Sequence, residues 1–133
     1  MAHVINFSSA NFDISGETPN PINPLAGESL LNWLRGKLSA TNCETTKPAT
    51  EDWGWYIDVK AFGSSYLVGA SADAHEPVVA DVEWALQIHK HRSLMEKVRG
   101  KNKLAGDDPL SALIEKLLRE EPGIRDVVID KQT

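Results

Sequence analysis

The residues with the most obvious chemical potential are His89-Lys90-His91, which set two imidazoles two positions apart. On a strand, residues i and i+2 point to the same side, so this pair could chelate zinc or a similar ion. A catalytic zinc site usually takes three protein ligands, and His75 and Glu76 are the nearest further donors. They reach the pair only if their loop folds toward it. A solvated strand end is therefore the stronger reading of His89 and His91, and no cofactor is expected.

Acid–base chemistry has candidates in Asp58 and Tyr56, which share one face if they lie on a strand. With His89 and His91 they outline an alternative function, a small-molecule or metal-dependent enzyme built on a polar sheet face. Nucleophilic motifs are missing: the chain has no Gly-x-Ser-x-Gly elbow and no glycine-rich phosphate loop. The single cysteine, Cys43, lies in a polar stretch and reads as a solvent-facing bystander. These absences favour a binding module over an enzyme.

Glu51-Asp52-Trp53-Gly54-Trp55-Tyr56 concentrates three aromatic rings behind two acids. Core packing explains most of it. Trp55 alternates with Ile57 and Val59, and Tyr56 falls on the opposite face. Trp53 would share the core face but at its rim. Glu51, Asp52 and Trp53 are thus the candidate partner-binding residues, because a rim tryptophan beside charge suits a protein contact.

Charge is unevenly spread along the chain. The 133 residues carry a net charge of −5. Seven acids and one base fall between Glu51 and Glu83, whereas six bases and one acid fall between Lys90 and Lys103. Lys90, Arg92, Lys97, Arg99, Lys101 and Lys103 could meet an anion or an acidic polymer. No aromatic residue lies among them to stack on bases, and the chain as a whole is acidic, so nucleic acid is not the expected partner. Another protein is, and a homodimer is compatible. Opposite-signed segments predict two electrostatically distinct faces.

These residues need elements to hold them. Val4 to Phe7 reads as a strand. Asn23 and Pro24 suit the cap and first position of a helix carrying Leu31, Leu34 and Leu38. Gly63-Ser64 suits a two-residue hairpin turn, which would set Trp55 opposite Ala72, Ile57 opposite Ala70 and Val59 opposite Val68. Val82, Trp84, Leu86 and Ile88 alternate as a third strand, to about His91. Ser93 and Glu96 have capping-box spacing, so a short helix should run from there to Gly100. Asp108-Pro109 opens a helix striped by Leu110, Leu113, Ile114, Leu117 and Leu118. Val127-Val128-Ile129 closes as a strand.

The predicted order is β-α-β-β-β-α-α-β in one α+β domain spanning 1–133: a two-layer sandwich, mostly antiparallel, with helices on one face and flexible loops near 16–23 and 39–50. Hydrophobic residues make up 41% of the chain and charged residues 25%, ordinary for a soluble domain. No leader segment and no membrane association are expected, and a cytoplasmic location fits the lone cysteine.

Overall fold

A computed structural model describes residues 2–73 and 81–131. In chain order the elements are β1 (His3–Ser9), β2 (Leu25–Ala26), α1 (Glu28–Ser39), β3 (Glu44–Thr45), β4 (Ala49–Glu51), β5 (Gly54–Ala61), β6 (Ser64–Asp73), β7 (Val82–Lys90), α2 (Leu94–Arg99), α3 (Pro109–Glu120) and β8 (Ile124–Lys131). The strands form one antiparallel sheet in the order β3-β5-β6-β7-β1-β8, with β2 joined to β6 and β4 to β5. This is the expected α+β sandwich, enlarged by three short strands. β1 enters between β7 and β8, so the two outlying strands of the sequence are neighbours in space.

One face of the sheet carries Ile5, Phe7, Trp55, Ile57, Val59, Val68, Ala70, Trp84, Leu86 and Ile88, all buried. Onto it pack Leu30, Leu31, Leu34 and Leu38 of α1 and Leu110, Ile114 and Leu118 of α3. The period-two alternation of the strands thus meets the 3.6-residue stripes of two helices. Among the described residues no helix covers the other face, which shows half-buried Val4, Tyr56, Leu67, Ala85 and Gln87 among exposed polar residues. The third helix, α2, buries none of its residues and belongs to neither layer.

Several sequence expectations shift. The hairpin turns on Phe62-Gly63, not Gly63-Ser64, so Trp55 faces Ala70, Ile57 faces Val68 and Val59 faces Tyr66. Phe62 (φ 53°) and Gly63 (φ 73°) both take positive φ, as a type I′ turn requires. The slide is two residues on one strand, and because the side-chain period is two, every residue keeps its face.

Helix α1 begins four residues later than Asn23-Pro24 predicted. Leu25–Ala26 instead pair with β6, and the Asn23 amide donates to the Asp52 carbonyl at 2.7 Å. The cap comes from upstream. Glu17 Oε1 accepts from the Gly27 and Glu28 amides at 3.0 and 3.1 Å, and Oε2 from the Ser29 amide at 2.9 Å. The Ser29 hydroxyl donates to Oε2 as well. A carboxylate at this helix end also meets the positive pole of the helix dipole.

Residues 39–50 carry two short strands, β3 and β4, both on β5. Cys43, expected in solvent, is buried and packs into the core cluster. The capping box at Ser93 and Glu96, the left-handed Gly100 and the Asp108-Pro109 helix start all form as read.

Candidate functional site

Trp53 does not lie on the core face. Asp52 and Trp53 make the turn between β4 and β5, and the indole swings onto the outer face of the sheet. It covers Gly69: a Cβ added there would stand 2.5 Å from the Trp53 ring. Tyr56 lies beside it, with ring centroids 6.4 Å apart and planes at 41°. Both rings are half-buried, whereas Glu51 and Asp52 are exposed. The missing side chain at Gly69 gives the indole its seat.

The turn is held from behind. The Asn20 amide donates to the carbonyls of Glu51 (3.2 Å) and Gly54 (3.1 Å), and Asn23 to that of Asp52. Gly54 takes φ 145°, and a Cβ there would meet the Ala70 carbonyl oxygen at 2.5 Å. A depression of about 330 Å³ beside Trp53 is lined in part by Asn6, Ser71, Glu83 and Ala85. Glu51, Asp52 and Trp53 therefore stand together on one braced turn.

The residues of the alternative site lie farther along the same outer face. Asp58 and His91 approach to 3.8 Å, each side chain about half exposed. Tyr56 sits one pleat nearer to Trp53. His89 shares a 3.1 Å hydrogen bond with Gln87, and burial pulls its pKa below the ordinary histidine value. Among the described residues no group of three or more His, Cys, Asp or Glu is placed to hold a metal ion. His75 and Glu76 lie outside the described residues.

The basic residues divide. Lys90 points to the core side, where its ammonium lies 3.7 Å from Asp108 Oδ1 and 5.8 Å from the Tyr66 ring centroid. Arg92 donates to the carbonyls of Lys101 and Glu96 and braces the end of α2. Lys97, Arg99, Lys101 and Lys103 are exposed.

A buried polar cluster at the start of α3 escaped sequence reasoning. Asp108 Oδ2 caps the Leu110 and Ser111 amides at 3.0 and 3.1 Å, while Oδ1 accepts from the Tyr66 hydroxyl at 2.9 Å. His3 Nδ1 meets Ser111 Oγ at 2.7 Å. Burial, followed by the hydrogen bond to Asp108, raises the Tyr66 pKa and keeps the phenol protonated. Burial lowers the His3 pKa, partly opposed by Asp108. The signal was in the strand phase. His3 alternates with Ile5 and Phe7, Lys90 with Ile88 and Leu86, and Tyr66 with Val68 and Ala70. The cluster is closed by the helix above it, and its bonds join α3 to the sheet.

No helix among the described residues is long and apolar enough to cross a membrane. No family model, curated protein or solved structure matches the chain.

Proposed function

We propose that this chain is a protein-interaction module that presents the Trp53 turn and its neighbouring acids to a basic partner protein. The observation that carries the proposal is the seating of Trp53 on Gly69, half-buried on an open sheet face, next to exposed Glu51 and Asp52. A large ring already held in place loses little freedom on binding. The acids would steer a cationic partner toward it. Asp58 and Glu83 extend the acidic character across the same face. Masking of a basic surface, as inhibitor and immunity-type proteins do, is the analogy that fits this arrangement. A reducing, cytoplasmic location belongs to the same reading. The enzyme alternative draws on Asp58 and His91, but both side chains of that pair are about half exposed to solvent.

The test compares three baits in native lysate: the wild type, the double variant Glu51→Lys/Asp52→Lys, and Trp53→Ala. A partner retained by the wild type and lost by both variants is expected. With that partner purified, the charge reversal should slow association by about tenfold or more at low salt. Folded variants that keep the same partner with unchanged kinetics would refute the proposal. A second copy of this chain as the retained partner would appear as a concentration-dependent dimer.

A further inference from the structure

The strand directions place a second unpartnered surface at the opposite end of the sheet from Trp53. Tyr66 pairs with Lys90, and the His91 amide donates to the Ser65 carbonyl at 2.8 Å, so β7 ends beside the Phe62-Gly63 hairpin. Helix α2 leaves from that same end. Four large apolar side chains stand in water there: Phe62 is 56% exposed, Leu94 79%, Met95 58% and Val98 75%. Leu94, Met95 and Val98 fall on one side of α2 by helical spacing, and exposed Lys97, Arg99, Lys101 and Lys103 follow on the helix and within four residues of its end.

Neither feature is explained by the fold. α2 is closed by a complete capping box and a left-handed Gly100, yet buries nothing. Phe62 occupies a positive-φ turn position where asparagine is favoured, and its ring meets solvent. A well-built helix with apolar residues turned outward, and an aromatic ring at a turn tip, both suit an apolar environment outside the molecule.

We infer that this end of the molecule docks on an anionic lipid bilayer surface, with Phe62, Leu94, Met95 and Val98 entering the headgroup boundary and Lys97, Arg99, Lys101 and Lys103 facing the phosphates. A bilayer needs no complementary groove, and a short apolar patch combined with a cluster of cations is enough for reversible attachment. Phe62 is the one aromatic ring among the four, too little for the successive base stacking that single-stranded nucleic acid uses, which disfavours that anionic partner. Nothing spans the membrane in this arrangement. It leaves the Trp53 turn at the far end of the sheet, so the inference does not depend on the proposed protein contact.

Co-sedimentation of the full chain with vesicles tests it. Binding is expected to vesicles containing about 30% phosphatidylserine in phosphatidylcholine, with little to pure phosphatidylcholine, and it should weaken as salt rises. Replacing Lys97, Arg99, Lys101 and Lys103 with Gln should weaken partitioning by about a hundredfold to a thousandfold. Leu94→Ser/Val98→Ser should weaken it by about tenfold. Both variants change only exposed side chains, and circular dichroism should show them folded. Phe62→Asn gives a sharper readout: it should raise thermal stability while lowering vesicle binding, an opposition that a purely structural role would not produce. Absence of binding to anionic vesicles at low salt overturns the inference. Equal binding by the four-Gln variant, or tight binding to an oligonucleotide with none to vesicles, also overturns it. Glu51→Lys/Asp52→Lys should bind vesicles no less well than the wild type.

Discussion

Among single residues, two glycines show how differently the lack of a side chain can matter. Gly54 has φ 145° and no room for a Cβ against the Ala70 carbonyl. Alanine there must strain the backbone or push β5 from β6, and Gly54→Ala should cost about 2–4 kcal/mol. Gly36 lies on the exposed side of α1, where a Cβ would find no neighbouring atom within 4 Å. Gly36→Ala should stabilise by about 0.5–1 kcal/mol through helix propensity alone. Urea titration of both variants reads the two opposite displacements of the midpoint. Trp53 depends on the first of these glycines indirectly, because the turn that positions its ring ends at Gly54.

Among the elements, α1 illustrates a cap that local sequence does not announce. Its N-terminus starts at Gly27, which offers no side chain, and the amides are satisfied by Glu17 ten residues earlier. Glu17→Ala should destabilise the protein by about 1–2 kcal/mol, with an unchanged urea m-value. A variant at wild-type stability would show that water replaces the carboxylate at no cost. By contrast, α2 and α3 were legible, because Ser93, Glu96 and Asp108 lie within three residues of the amides that they cap. The hairpin was legible in its faces but not in its register. Both Gly63-Ser64 and Phe62-Gly63 allow a two-residue turn, and in the register that forms Val59 pairs with Tyr66, whose hydroxyl donates to Asp108.

Across the molecule, charge is graded along the strands, although Glu44, Asp58 and Glu96 lie at the end richer in bases. Glu51, Asp52, Asp73, Asp81 and Glu83 gather at one end, where Arg125 pairs with Asp81. Lys60, Lys97, Arg99, Lys101 and Lys103 gather toward the other. This gradient would let the two proposed contacts use opposite ends of one sheet. The pH response is also global. Burial lowers the pKa of His3 and, separately, of His89. In the unfolded chain both return to about 6.5, so that state takes up protons first as the pH falls. Stability should therefore be fully present above about pH 6.5 and decline as acid passes through the lower folded values. Urea midpoints at about pH 7.5 and about pH 5.5 should differ in that direction. His3→Asn, which can still meet Ser111, should flatten the difference. An unchanged slope would remove His3 from the account.

Local pattern alone was enough to set the layers. Period-two alternation and leucine stripes can be read residue by residue, and burying them leaves one arrangement of sheet and helices. The same patterns show that the residues of Glu51 to Tyr56 could not all share a face, and that acids and bases occupy separate segments. Other outcomes waited on the folded chain, because they depend on contacts between residues far apart in it. Trp53 turns outward since Gly69, sixteen positions later, leaves space beneath the ring. Lys90 leaves the cationic group because Asp108 waits on the other side of the sheet. Cys43 is buried because the short strand after it returns to β5. The order β7-β1-β8, which no local pattern encodes, follows from closing one sheet around a shared core.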